Sequence, residues 1–208
     1  MDIDKLLKFA GSSEFEGSVC ADTRQLNKGD IFVAICGSHV DGHDFIPNAL
    51  KNGAAWIVCQ SNAGIESDNR VVVKDSAMAL GLLSQATYGD PAKKLTNLAV
   101  TGTNGKTSVC YIVRSIIQTT GQRCGLIGTI VYDSAANSDS PQSSTLTTPD
   151  AVTIARLMSE MCKAKTKYMV TEASSHALSQ QRLAGVEFSA AAFTNLTGDH
   201  LEIGRAHV

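Results

Sequence analysis

Gly102, Thr103, Asn104, Gly105, Lys106 and Thr107 bring two glycines, an amine and hydroxyls together in one short run. An apolar stretch, residues 95–101, precedes the run, and residues 106–120 follow with helical periodicity, so it reads as a strand-to-helix turn. Such a turn suits a polyphosphate. Glycines let the backbone bend tightly with its N–H groups aimed inward, the helix N-terminus adds positive potential, and Lys106 can reach the β- and γ-phosphates of a nucleotide. Thr107 is then placed to bind Mg²⁺ through its hydroxyl. Position 100 is Val, where the general G-x-x-x-x-G-K-[ST] pattern has Gly, and the shorter G-x-x-G-K-T form is shared by fewer nucleotide-binding proteins.

A second constellation follows. Glu172 closes an apolar run, residues 168–172, and so falls at the C-terminal end of a buried strand, where open parallel sheets bind ligands. A carboxylate there can hold Mg²⁺ against nucleotide phosphates; the plainer alternative is that Glu172 and Ser174 cap the next helix. His176 by itself is ordinary for a packed or surface helix. Asn195, Asp199 and His200 fall just after the next strand, where His200 could serve a second metal or simply face solvent.

These residues need a framework, and the chain supplies alternating strands and helices. Residues 3–9 form an amphipathic helix, 17–24 and 29–37 short strands, 44–53 a helix, 55–60 and 71–75 strands, and 75–89 a helix capped by Asp75 or Ser76. Gly89, Asp90 and Pro91 interrupt the pattern, which predicts a domain boundary near Asp90 and domains at 1–90 and 91–208. Beyond it come strands at 95–102, 124–130, 167–172 and 188–195, helices at 106–120, 149–165 and 174–185, and a polar loop at 133–145. Apolar strands separated by long helices predict an α/β fold with a mainly parallel sheet covered on both faces.

A net charge of -2 gives no field that would gather nucleic acid. No apolar run approaches the roughly 20 residues that span a bilayer, and the N-terminus has no signal-peptide pattern. Six dispersed cysteines without a C-x-x-C pair fit buried, reduced thiols better than disulfides or a zinc site. A cytoplasmic protein without nucleic-acid or membrane partners is expected; oligomeric state is not predicted.

The 102–107 turn, Thr147-Thr148-Pro149-Asp150, and the runs 172–182 and 193–201 together resemble the Mur ligases, and residues 174–182 point to the MurE type. Residues 22–50 resemble the UDP-binding domain of that family. The resemblance implies a small N-terminal domain that binds UDP-MurNAc, then a P-loop-type ATPase domain. It further implies a ligase that uses ATP to make an acyl phosphate of UDP-MurNAc-L-Ala-D-Glu, which the amine of L-lysine or meso-diaminopimelate then attacks. By position, Gly102 to Ser108 would bind ATP, with Lys106, Glu172 and His200 catalytic and Thr107, Glu172 and His200 holding Mg²⁺. Thr147, Thr148, Ser174, Gln180 and Arg182 would hold the muramyl peptide, and Thr23, Arg24, Ser38, His39 and Val40 the nucleotide sugar. A MurF-type ligase or a non-catalytic nucleotide-binding module is the alternative. After Leu201 the chain departs from the family pattern, so 202–208 is expected to be a non-native tail on a truncated, inactive and poorly soluble fragment.

Overall fold

The computed structural model describes residues 1–37, 40–60, 68–135 and 142–197. Two compact units result, Met1–Asp90 and Pro91–Val208, each with its own sheet.

The first unit runs α1 (Ile3–Ala10), β1 (Val19–Cys20), β2 (Ile31–Val33), a 3₁₀ turn (Gly42–Phe45), α2 (Ile46–Lys51), β3 (Trp56–Cys59), β4 (Arg70–Val72) and α3 (Ser76–Thr87). Its four strands are parallel in the order β1-β2-β3-β4. Phe32, Ala34, Ile57 and Cys59 pack with Ile46 and Ala49 of α2. Strand alternation turns Ile31, Val33 and Val58 the other way. All three are fully buried, and α3 packs on β1, β2 and β3 with α1 against it. Asp75 caps α3 by accepting a hydrogen bond from the Met78 amide. Buried Asp30 accepts from the amides of Ser18 and Asn27, tying together the chain before β1 and β2.

The second unit runs β5 (Thr96–Thr101), α4 (Lys106–Thr119), β6 (Cys124–Ile127), β7 (Val131–Asp133), β8 (Gln142–Ser143), α5 (Ala151–Lys163), β9 (Tyr168–Glu172), α6 (Ser175–Ser179) and β10 (Ala190–Phe193). Strand order is β10-β5-β9-β6-β7-β8, parallel from β10 to β6 and antiparallel beyond. Alternate residues feed two cores. Ala99, Ile127 and Met169 pack with Ile154, Leu157, Met158 and Met161 of α5, whereas Val100, Leu126 and Val170 pack with Cys110, Val113 and Ile117 of α4. At about 25 cal/mol per Å² of apolar surface, burial on both faces is the main force holding this sheet together.

The structure departs from expectation in several places, the first being that the strand expected at 124–130 ends at Ile127 and turns into antiparallel β7. Part of the polar 133–145 loop is strand: β8 pairs with β7, which would otherwise end the sheet with unmet backbone groups. The helix expected at 174–185 stops at Ser179, and Gln181 adopts a φ of 55° as the chain turns back. The edge strand β10 is exposed along its whole length, since it pairs only with β5, so the sheet is not covered throughout. Cys36 is exposed and Cys162 half-buried, while Cys20, Cys59, Cys110 and Cys124 are buried, and no disulfide joins any of the six. No helix among the described residues is long and apolar enough to cross a membrane.

Candidate functional site

β5 and β9 lie side by side, and their C-terminal ends put the 102–107 turn next to Glu172. This is the sheet edge where parallel α/β proteins gather ligands. Gly102 has a φ of 127°, and a Cβ there would sit 2.2 Å from Thr194 Oγ1 and 2.9 Å from the Asn195 carbonyl. Only glycine lets the chain pass. Gly105, with a φ of 83°, is the N-cap of α4 and places no side chain over its first-turn amides. Those amides have no intrahelical partner and form a positive, donor-rich rim.

The turn is braced from the side by the chain leaving β10. Asn195 accepts from the Asn104 amide (3.0 Å) and donates to the Asn104 carbonyl (3.1 Å), and its own carbonyl accepts from the Thr103 amide at 2.8 Å. Thr194 donates to the Asn104 carbonyl at 2.7 Å. Asn195, expected at a ligand-collecting edge, thus acts on the turn itself. Lys106 Nζ donates to the carbonyls of Gly102 and Thr103, both at 2.8 Å, so the ammonium is held inside the turn.

Glu172 is 1% exposed, and its carboxylate is held by three donors. Oε1 accepts from the Thr129 amide at 2.7 Å; Oε2 accepts from the hydroxyls of Thr107 (2.9 Å) and Thr129 (3.0 Å). None of the ion pairs among the described residues includes Glu172. A buried carboxylate with hydrogen bonds but no counter-charge is costly. Together with the Thr107 hydroxyl it makes the hard oxygen donor set that Mg²⁺ takes, so the residues fit that cation. Glu172 does not cap α6. Ser174 does, accepting from the Ala177 amide.

Thr129 and Gly128 were not identified from sequence. They follow β6, which is Glu172's neighbour on the other side, and a Cβ on Gly128 would come within 2.3 Å of Glu172 Oε1. From the sequence only a Gly-Thr pair closing an apolar strand can be read, without the strand order that sets it beside Glu172.

A cleft of about 450 Å³ opens beside the turn, lined by Thr101–Thr103 and Lys106, by Leu146, Thr147 and Thr148, by Ser174, Ser175, His176 and Arg182, and by Phe193 and Leu196. Thr148 is buried; its hydroxyl donates to the Glu172 carbonyl at 2.6 Å and accepts from the Ser174 amide at 3.1 Å. The turn after α6 brings Arg182 back, where Nη1 donates to the Thr148 carbonyl at 2.8 Å and Nε and Nη2 donate to Gln180 Oε1. Gln180 therefore aims the guanidinium, and Thr147, Thr148, Ser174 and Arg182 share one wall.

In the first unit, exposed Arg24 forks onto Asp22, and this hydrogen bonding holds the Asp22 carboxyl below the usual carboxylate range. Thr23 accepts from the Asn52 side chain through its carbonyl, and Val40 is exposed. Ser38, His39, Asp199 and His200 lie outside the described residues. Cys36, Asp41 and His43 bring three potential metal-ligating atoms together, with 3.6 Å from sulfur to both Asp41 Oδ1 and His43 Nδ1. However, His43 Nε2 accepts from the Gln60 amide at 3.0 Å, which leaves the proton on Nδ1, 2.7 Å from Asp41. Neither ring nitrogen is open to a metal, and the cluster ties the 3₁₀ turn to the end of β3.

Residues 100–206 match the Mur ligase middle domain, and residues 17–88 match the description "Mur ligase family, catalytic domain". The UDP-N-acetylmuramoyl-L-alanyl-D-glutamate--2,6-diaminopimelate ligase of Parabacteroides distasonis is 40% identical over 190 residues, covering 89% of this chain and 38% of the relative. The ligase of the same name from Gloeobacter violaceus is 43% identical over 183 residues, covering 87% of this chain and 37% of its own length. A solved structure of a UDP-N-acetylmuramoyl-L-alanyl-D-glutamate--2,6-diaminopimelate ligase superposes with a TM-score of 0.73 at 29% identity, over 88% of this chain and 37% of that one. The chain thus spans under two fifths of the length of these relatives. The middle-domain match takes in the 102–107 turn, Thr129, Thr147 and Glu172 alike, and the chain belongs to the Mur ligase family.

Proposed function

We propose that this chain carries the nucleotide and muramyl-peptide sites of an ATP-dependent ligase that adds a diamino acid to UDP-MurNAc-L-Ala-D-Glu in peptidoglycan precursor synthesis. The observation that carries it is the Thr107–Glu172 hydrogen bond of 2.9 Å, which sets a buried carboxylate against the phosphate turn. The names of the relatives favour diaminopimelate over lysine as the amine.

A carboxylate offers an amine no leaving group until it is phosphorylated, so both substrates must meet at one sheet edge. The turn supplies this. Its amides and Lys106 receive the ATP phosphates, Lys106 exchanging two carbonyl partners for phosphate oxygens. Thr107 and Glu172 hold Mg²⁺, which when bound neutralises charge on the phosphates. Across the cleft Thr147, Thr148, Ser174 and Arg182, with Gln180 behind it, orient the dipeptide, Arg182 pairing with an anionic group. Met1–Asp90 binds the nucleotide sugar through Thr23, Arg24 and Val40, with Ser38 and His39 in the same stretch, and Pro91–Val208 binds ATP, with His200 assigned to a second cation by family resemblance. A cytoplasmic location belongs to the same reading, supported by the likeness to these ligases.

Calorimetric titration of the chain with a non-hydrolysable ATP analogue and, separately, with UDP-MurNAc-L-Ala-D-Glu tests this. Saturable binding of both is expected. Binding of neither, by a chain shown to be folded by circular dichroism, would remove the proposal.

A further inference from the structure

We propose that Thr129 is a positioning residue that fixes the direction of a hydroxyl chain, Thr147 to Thr129 to Glu172, so that Thr147 offers the cleft an acceptor. This rests on the assignment of Glu172 to a cation and of Thr147 to the muramyl peptide.

Thr129 Oγ1 lies 3.0 Å from Glu172 Oε2 and 3.1 Å from Thr147 Oγ1. Its one proton can serve only one of them. A carboxylate accepts and never donates, and a charge-assisted hydrogen bond is about twice as strong as a neutral one. The proton therefore goes to Glu172. The Thr129 amide, 2.7 Å from Oε1, pins the carboxylate from the same residue.

Thr147 is then left to donate to the Thr129 oxygen, which turns its lone pairs toward the cleft it lines. The neighbouring hydroxyl is committed as well, since Thr148 donates to the Glu172 carbonyl. Thr147 thus suits an amide N–H or hydroxyl of the ligand, and an anionic oxygen is left to Arg182. The same chain links the two halves of the site, because whatever fixes Glu172 also fixes Thr147.

Thr129→Val keeps the side-chain volume and the backbone N–H but deletes the hydroxyl; Thr129→Ser keeps the hydroxyl. Each variant, with Thr147→Val and the Thr129→Val/Thr147→Val pair, is titrated with Mg²⁺ in the presence of the ATP analogue and with UDP-MurNAc-L-Ala-D-Glu. Thermal melting checks folding. Thr129→Val is expected to weaken Mg²⁺ on the order of tenfold, the effect of one hydrogen bond to a charged group. Nucleotide binding without Mg²⁺ should stay as it was, and Thr129→Ser should restore the wild-type values. Thr147→Val should weaken only the dipeptide, and the double variant should bind dipeptide no worse than Thr147→Val. Unchanged Mg²⁺ affinity in Thr129→Val, equal loss in Thr129→Ser, or additive dipeptide losses would overturn the proposal. Failure of the wild-type chain to bind nucleotide at all would instead strike the assignment beneath it.

Discussion

Thr107 and Glu172 are 65 positions apart, yet the hydroxyl of one donates to the carboxylate of the other at 2.9 Å. The contact exists because β5 and β9 are neighbours in register, Val100 opposite Glu172. Every part of the proposed phosphate site is reached from this pair: the turn before Thr107, Lys106 inside it, and Thr129 on the far side of the carboxylate.

Lys106 offers a direct test of the turn. Replacing it with Met keeps the apolar stem and removes the charge. Loss of its charge-assisted bonds should weaken an ATP analogue by about ten- to a hundredfold. Calorimetry would measure this, and the Tm should fall by a few degrees, because two charge-assisted hydrogen bonds to loop carbonyls are lost with the amine.

The two turn glycines should respond differently to alanine. At Gly102 the new methyl meets Thr194 and Asn195, so overpacking adds to backbone strain, a cost of about 2–5 kcal/mol. At Gly105 nothing lies within 4 Å, and only the left-handed backbone penalty of about 1–2 kcal/mol remains. Chemical denaturation should rank Gly102→Ala well below Gly105→Ala in stability.

Arg182→Lys keeps a charge but gives up the planar fork that Gln180 and the Thr148 carbonyl orient. Affinity for UDP-MurNAc-L-Ala-D-Glu should fall about tenfold or more, in line with losing one charge-assisted contact, while the ATP analogue binds as before. Parallel titrations with the two ligands separate the outcomes.

The buried thiols predict an alkaline limit. Burial pushes Cys110 up to about 12 and Cys124 up to about 11, from an ordinary 9.0. Between pH 9 and those values the unfolded chain has lost protons that the folded chain keeps, so stability falls as pH rises through that window. Below pH 9 both thiols stay protonated in either state and contribute no slope. A colorimetric thiol reagent at pH 8 should modify exposed Cys36 first and reach Cys20, Cys59, Cys110 and Cys124 only on unfolding.

Local signals were enough for the strand-turn-helix around Lys106, because glycines and a Lys-Thr pair at a helix start are neighbours in sequence. Glu172 was legible for a related reason: an acid ending a buried strand must emerge at the same sheet edge. Thr129 was not, because its role depends on β6 lying beside β9, and strand order is a property of the whole sheet. The early end of α6 was hidden too. Helical periodicity continues past Ser179, and what breaks it is the turn at Gln181 that returns Arg182 to Thr148. β8 reads as loop in the sequence because two polar, exposed residues carry no alternation. The Asp41-His43-Gln60 network depends on a histidine meeting a strand end 17 residues away.

The measurement closest to the central claim is the Mg²⁺ dependence of ATP-analogue binding in the wild-type chain and in Glu172→Gln, whose side chain has the same shape without the charge. Wild type should bind the analogue more tightly as Mg²⁺ is added, and Glu172→Gln should show the Mg²⁺-free affinity at every Mg²⁺ concentration. A Glu172→Gln curve that coincides with wild type would contradict the assignment of this carboxylate to the cation.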